Sequence, residues 1–246
     1  MIVRMEERSM NAWPALQSHL YDGWVIRFAE GYTKRANSVC PIYSSAIDLE
    51  EKLDYCEKLY RSQGLPVVYK LTKACYPADL DQVLERRGYW RFAETAVRIA
   101  ELAEHPSYVR PQELQVAYKF TEEWINSYLA CTDMSDTGRI VVMKKLLHNI
   151  IEDKICVWIH LEDEPVACGF GVFEDGYMGI FDIVVHPKYR GRGYGRAIMQ
   201  SLMMEALSKG VQKAYLSVVV GNTIAEKLYD SLGFQEIYRY WYRERS

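Results

Sequence analysis

The amino-acid sequence predicts a mixed α/β fold, in which a mostly antiparallel sheet is flanked by helices and two related domains follow one another. The sheet is predicted by three strand-like runs that short polar turns join into an antiparallel meander in the C-terminal half. The helices are predicted by apolar residues at helical spacing, followed by glycine stops. A weak internal repeat predicts the two related domains.

The first domain is predicted to span residues 1–105. Strand-like runs at 24–29, 33–39 and 66–71 alternate with helical patterns at 49–61 and 78–87, and an extended segment follows at 89–102. The best linker is His105-Pro106-Ser107, so the second domain is predicted at 106–246.

The second domain begins with helical periodicity at 112–130 and 137–151, and the meander follows at 155–161, 165–173 and 177–185. A helix whose apolar rows include Ile198 and Leu202 comes next and ends at Gly210. A buried strand at 214–220, a short helix at 223–232 and an aromatic strand at 234–242 complete the chain.

The internal repeat relates two V-x-P-x-Y segments, which begin at Val39 and, 146 positions later, at Val185. A Gly-aromatic pair after a helix recurs in the same way, at Gly88 and at Gly233. The alternative is a chance similarity between two α/β units.

The composition excludes several classes of protein. The formal charge of −3 gives no basic field that could bind nucleic acid through its phosphates. The share of hydrophobic residues, 49%, is ordinary for a globular protein. The six cysteines are scattered without zinc-ligand spacing, and there is no long apolar run or signal-like start. We therefore expect a cytoplasmic protein that binds no metal, membrane or nucleic acid. Both a monomer and a homodimer are compatible with the sequence.

The sharpest motif lies between a predicted strand and a predicted helix, and reads Arg190-Gly191-Arg192-Gly193-Tyr194-Gly195. Alternating glycines permit a tight turn and a close approach of the backbone. The N–H groups at the helix start, with arginines that include Arg196, would form a cradle for a diphosphate. The pattern matches neither the Rossmann fingerprint nor the P-loop, and an ordinary glycine-rich turn would leave the arginines unexplained.

These residues resemble the GNAT superfamily of acyl-CoA N-acyltransferases, whose signature is (Q/R)-x-x-G-x-(G/A). The match is Arg190-x-x-Gly193-x-Gly195, and the segment from Asn222 to Phe234 resembles the N-x-x-A-x-x-L-Y-x-x-x-G-F segment of that superfamily. The resemblance covers about residues 107–246. It implies acetyl-CoA as the acyl donor.

The resemblance also assigns roles to individual residues. The loop from Arg190 to Arg196 would hold the pyrophosphate, and Asn222 would touch the pantetheine. The strands at 177–186 and 214–220 would splay apart to admit the thioester. The pantetheine arm would bind the backbone of Ile183, Val184 and Val185.

Two residues are the candidates for catalysis. Tyr229 would give a proton to the departing thiolate, since a phenol has a suitable pKa, and the alternative is an aromatic residue packed on the sheet. Asp182, in an apolar strand, is the leading base, directly or through a water; the alternative is a side chain on the open face of the sheet or bonded to a loop. Superfamily members often carry a glutamate near the position of Gly179. Glu174 and His160 are further options for the base.

The first domain lacks the cradle, because Ser44, Ser45, Ile47 and Leu49 stand opposite Arg190 and the three glycines in the repeat. We therefore expect one active site per chain. The polar segment 31–38, together with Arg27, could line the acceptor pocket or form a charged edge strand.

The sequence thus predicts an N-acetyltransferase that moves an acetyl group from acetyl-CoA to a primary amine of a small molecule, by direct attack in a ternary complex. One alternative is a non-catalytic acyl-CoA-binding sensor or interaction module. Another is a protein N-acetyltransferase.

Overall fold

The computed structural model describes residues 1–102 and 111–245. The candidate linker at 105–107 and the boundary between the two predicted domains lie outside the described residues. The helices of the described residues are α1 (Ile2–Ala12), α2 (Leu49–Ser62), α3 (Leu80–Arg86), α4 (Glu122–Thr132), α5 (Thr137–His148), α6 (Tyr194–Ser208) and α7 (Thr223–Asp230). The strands are β1 (Gln17–Tyr21), β2 (Trp24–Phe28), β3 (Val39–Pro41), β4 (Val67–Thr72), β5 (Trp90–Glu101), β6 (Leu114–Ala117), β7 (Lys154–Leu161), β8 (Glu164–Glu174), β9 (Tyr177–Val185), β10 (Lys213–Val219) and β11 (Gln235–Arg245).

All eleven strands belong to one sheet, in the order β1-β2-β3-β4-β11-β5-β10-β9-β8-β7-β6. Among the strand pairs of the described residues, only β3–β4 and β9–β10 are parallel. The predicted mixed, mostly antiparallel fold is therefore confirmed. The last strand of each half lies beside the other half: β11 pairs with β4, and β5 pairs with β10.

Helices cover both faces of the sheet. On β7, Cys156 and Trp158 belong to a core cluster that includes residues of α1, α4 and α5, whereas Ile155 and Val157 belong to a cluster with α6. This alternation is the side-chain period of a strand that is buried on both faces. A third cluster packs α2 and α3 onto β2 and β4.

Two element predictions are wrong. The segment predicted as a strand at 33–39 contains a 3₁₀ turn, Lys34–Ala36, because the Thr33 hydroxyl accepts a hydrogen bond from the Ala36 N–H. The segment predicted as a helix from residue 112 begins instead with β6, where Leu114 and Val116 alternate with polar residues. Helix α4 starts later, capped by Thr121.

Candidate active site

The centre of the sheet contains a gap between β9 and β10. The two strands pair only from Lys213↔Tyr177 to Tyr215↔Gly179 and have no pairing beyond it. The predicted splaying of these strands is thus confirmed. The unpaired edge of β9 beyond Gly179 leaves backbone groups available to an extended ligand.

A β-bulge shapes β9 at this gap. Phe170 pairs with Phe181, but Cys168 pairs with Val184, so Asp182 and Ile183 together oppose Gly169. Asp182 has a positive φ of 49°, an uncommon conformation for a residue other than glycine. Strain of this kind clusters at functional sites.

The bulge turns Asp182 toward the same face as Phe181, because it adds one residue to the alternation of the strand. Phe181 and Val184 contact the cluster around α4, while Ile183 and Val185 contact the cluster around α6. The three residues predicted to bind the pantetheine through their backbone lie on the unpaired part of β9, with Ile183 in the bulge and Val184 and Val185 directly after it.

The predicted anion cradle lies at the start of α6. Gly193 is the N-cap, with a φ of 87°, and no side chain caps the helix. Gly191 also has a positive φ of 74°, and a Cβ at either glycine would meet no atom within 4 Å. A Cβ at Gly195 would lie 3.6 Å from side-chain atoms of Val185 and Leu228. The cradle is therefore open, and it adjoins both β9 and α7.

Basic side chains surround this helix start. The Arg190 Nε donates to the Val185 carbonyl at 3.3 Å, and the Arg192 guanidinium lies 5.5 Å from the centre of the Tyr189 ring. Arg196 donates to the Ser231 hydroxyl. Tyr194 packs edge-on against Tyr189, with 6.2 Å between the ring centres. Together with the helix dipole, these charges favour an anion.

Helix α7 contributes the predicted proton donor. Tyr229 is partly buried, packs edge-on against Phe234 and contacts the α6-side cluster. Burial raises the pKa of Tyr229 above its ordinary value. The phenol therefore remains protonated at neutral pH, as a general acid must. Asn222 is the exposed N-cap of this helix, and its side-chain oxygen accepts from the Ala225 N–H at 3.3 Å.

Asp182 is located on the opposite face, among groups from both halves of the chain. Burial raises the pKa of Asp182, while the charge of Arg35 and a hydrogen bond from Tyr128 partly offset this rise. Arg35 belongs to the turn between β2 and β3, so the contact to a neighbouring loop that the sequence left as an alternative is present beside the role of a base. A carboxyl whose pKa is raised by burial suits a general base.

The other candidate bases are less well placed. A Cβ at Gly179 would come within 2.6 Å of the Tyr215 hydroxyl, so the Tyr215 ring fills the space that a glutamate there would need. Glu174 lies at the closed end of the gap, in the β8–β9 hairpin, where it accepts from Asn11. His160 lies on β7, bonded to Ser127 at 2.8 Å.

In the first half of the chain, carboxylates of the protein itself fill the equivalent of the cradle. The Asp22 carboxylate accepts from the Ala46 and Ile47 N–H groups, and Asp48 caps α2. Lys52 donates to Asp22 as well. Because these groups already satisfy the N–H groups before α2, those N–H groups are not free to bind a diphosphate.

Sequence reasoning missed Tyr128, and it named Arg35 only as a member of the polar segment 31–38. Tyr128 and Arg35 are far from the gap in sequence, and only the fold brings them to it. Arg27 is 2% exposed and donates to the carbonyls of Arg35, Met10 and Trp13, so it holds the turn that carries Arg35; it also borders a surface cleft beside Met10 and Asn11.

Two surface clefts are separate from this region. One of about 460 Å³ includes Arg4 and Asn11, and one of about 670 Å³ includes Leu16 and Glu30. The first cleft also includes Arg27, and neither cleft includes the cradle, Tyr229 or Asp182. Within residues 1–102 and 111–245, no group of three or more His, Cys, Asp or Glu side chains is arranged to hold a metal ion. In the same residues, no helix has the length and apolarity needed to cross a bilayer.

Comparison with known proteins agrees with this geometry. The family described as "Probable histone acetyltransferase Rv0428c C-terminal" matches residues 1–243. The Bacillus subtilis protein named "Uncharacterized N-acetyltransferase YobR" is 28% identical over 249 residues and 98% of each chain. A ribosomal protein bS18-alanine N-acetyltransferase of Haemophilus ducreyi is 36% identical over 58 residues, which are 24% of this chain and 40% of that protein.

The fold has solved counterparts. A GCN5-related N-acetyltransferase from Kribbella flavida has a TM-score of 0.72 at 15% identity, over 98% of this chain and 94% of that one. A tandem GNAT protein from the clavulanic acid biosynthesis pathway has a TM-score of 0.63 at 10% identity, over 80% and 69% of the two chains. Because the family match spans nearly the whole sequence, the chain belongs to the Rv0428c C-terminal acetyltransferase family, and it is an acyl-CoA-dependent N-acetyltransferase with the GNAT fold.

Proposed function

We propose that this enzyme transfers the acetyl group of acetyl-CoA to the primary amine of a small molecule, by direct attack in a ternary complex. The observation that carries the proposal is the β9–β10 gap, with the open cradle and Tyr229 on one face and Asp182 on the other. The coenzyme would enter from the α6–α7 face, and the amine would approach from the face of α4.

The residues of the site account for each proton in the reaction. The amine nitrogen forms a bond to the thioester carbonyl carbon, and the bond from that carbon to sulfur breaks. Asp182 takes the proton that the nitrogen loses, directly or through a water, and Tyr229 gives its proton to the departing thiolate. The unpaired β9 edge at residues 183–185 would bind the pantetheine, and Asn222 would touch it near the mouth of the gap.

The diphosphate would lie at the loop 190–196, where the N–H groups of Tyr194 and Gly195 begin α6 without a side-chain cap. The open space at Gly191 and Gly193 supports this placement. We also propose one such site per chain and a cytoplasmic location, which the unpaired thiols of all six cysteines support.

A protein acceptor is the second candidate, because relatives that act on ribosomal protein bS18 share 36–42% identity with this chain over 57–58 residues. Those relatives are named as N-acetyltransferases that act on an alanine of bS18, which supports a protein amine as the acceptor. The two candidates share the acetyl donor and differ in the size of the acceptor.

Release of free thiol from acetyl-CoA tests the proposal, with a panel of small amines beside peptides that have a free N-terminus. We expect turnover with at least one small amine and saturable binding of CoA. Faster turnover with peptides would transfer the proposal to a protein acceptor. Binding of CoA without turnover of any amine would favour a non-catalytic sensor, and no binding at all would refute the site.

A further inference from the structure

The Arg35 guanidinium stands out among the buried cations of the protein. Arg243 donates to Asp81 and to the Tyr89 carbonyl, and Lys70 forms an ion pair of 2.6 Å with Glu6. Arg35 is also partly buried, yet its guanidinium makes no hydrogen bond or ion pair to any residue within 1–102 and 111–245. Its nitrogen atoms are not fully buried, so its N–H groups are open to the oxygen atoms of a ligand.

The position of this guanidinium is fixed. Its carbon lies 5.1 Å from the centre of the Trp13 ring and 5.7 Å from that of the Phe181 ring. The 3₁₀ turn that carries it is held by the Thr33 cap and by Arg27, which donates to the Arg35 carbonyl at 2.7 Å. A charge on a rigid, aromatic-lined support is preorganised for binding.

The guanidinium and the candidate base belong to the same electrostatic cluster. Asp182 directly follows Phe181, whose ring contacts the guanidinium, and the charges of Arg35 and Asp182 act on each other. Tyr32 and Tyr128 add hydroxyl groups to this cluster. One cation and one carboxylate thus lie on the acceptor side of the gap.

We propose that the acceptor is a small amino acid, whose carboxylate binds the Arg35 guanidinium while its amine faces Asp182. The inference rests on the proposed function, since it names the substrate class of that site. A guanidinium binds a carboxylate through two parallel hydrogen bonds. A zwitterionic acceptor keeps this cluster neutral overall, whereas an amine that carries a phosphate would add excess negative charge beside Asp182.

Matched acceptors test the assignment in the wild-type enzyme. Each amino acid is compared with the amine that lacks its carboxylate, for example leucine with isoamylamine and γ-aminobutyrate with propylamine. We expect kcat/KM to favour the amino acid by about 10- to 100-fold. Equal values, or a preference for the neutral amine, for phosphoethanolamine or for a peptide amide, would overturn the proposal.

Variants then locate the preference at Arg35. R35M should raise KM for amino acids by about 10- to 100-fold more than KM for neutral amines, with R35K intermediate, whereas kcat should change alike for both acceptor classes because Arg35 also lowers the pKa of Asp182. K34M is the matched control, because Lys34 lies on the same turn but pairs with Glu244. An equal change of KM for both acceptor classes in R35M and R35K, or the same preference lost in K34M, would contradict the assignment.

A binding experiment separates this inference from the proposed function. If no amine is acetylated, equilibrium binding of an N-acetyl amino acid and of the matching N-alkylacetamide to the CoA-saturated protein still tests Arg35. We expect the carboxylate-bearing compound alone to bind, with its affinity lost in R35M. Equal affinity of the two compounds would refute the inference, whatever the result for turnover.

Discussion

At the scale of single residues, Tyr229 and Asp182 lie on opposite faces of the sheet, and the β9–β10 gap joins the two faces. This arrangement separates the two proton transfers, because the coenzyme sulfur and the attacking amine approach the carbonyl from different sides. The bulge at Asp182 is what makes the separation possible, since it turns the carboxylate away from α6.

Replacing the phenol tests the acid. We expect Y229F to lower kcat by about 10- to 100-fold, equivalent to about 1–3 kcal/mol in the barrier, with little change in CoA affinity. Steady-state kinetics and a CoA titration measure the two quantities. Y118F, on an exposed tyrosine, is the control. Unchanged kcat in Y229F would remove the phenol from the mechanism.

The pH dependence of kcat tests the base. Asp182 acts when deprotonated, so activity falls as pH drops through its pKa; because burial raises that pKa, the fall begins above the ordinary carboxylate value of about 4. D182N should lower kcat by about 100-fold or more and abolish this acidic limb. E174Q, a matched carboxylate at the closed end of the gap, should keep it. An acidic limb that persists in D182N would assign the base elsewhere.

At the scale of elements, the start of α6 combines a strained backbone with open space. Gly193 and Gly210 have positive φ values of 87° and 77°, and a Cβ at either would meet no atom within 4 Å. The two glycines lie at opposite ends of α6: Gly193 begins the helix at the cradle, whereas Gly210 follows its C-terminal end. The pair therefore separates backbone strain from ligand contact.

Valine at each glycine gives this comparison. Both G193V and G210V should lose about 1–2 kcal/mol of unfolding free energy, because a β-branched residue is strained at positive φ. Only G193V should also lose CoA affinity, since its side chain would intrude on the diphosphate. Chemical denaturation and a CoA titration measure the two effects. Similar loss of affinity in both variants would assign the effect to stability and not to the cradle.

At the scale of the whole molecule, local patterns predicted the meander, the cradle and the order of elements in the second half, because turns, caps and glycines act within a few residues. The cluster of Arg35, Tyr128 and Asp182 could not be predicted, since it depends on contacts between distant segments. The 3₁₀ turn at 34–36 was also not predicted, although its cause is local: the Thr33 hydroxyl accepts a hydrogen bond from the Ala36 N–H. Local patterns also could not predict that β5 pairs with β10 and that β11 pairs with β4, because these strands are distant in sequence.

The pairing of β5 and β11 with strands of the opposite half predicts how the two halves fold. Strand β5 lies between β10 and β11 and pairs with both, from Lys213↔Glu101 to Val219↔Thr95 on one side and from Gln235↔Ile99 to Glu244↔Trp90 on the other. Residues 106–246 alone would therefore leave both strands with an unpaired edge, and would expose the apolar surface that β5 buries.

We expect this fragment to lack a cooperative unfolding transition and to recover one, together with CoA binding, when residues 1–105 are supplied as a separate chain. Circular dichroism during denaturation and a CoA titration measure both. The full-length protein is the control. Because the last strand of each half pairs with strands of the other half, the first half would be required for catalysis even without a coenzyme site of its own. A fragment 106–246 that folds cooperatively and binds CoA unaided would instead make the second half autonomous, and would leave the first half with the acceptor contacts of Arg35 alone.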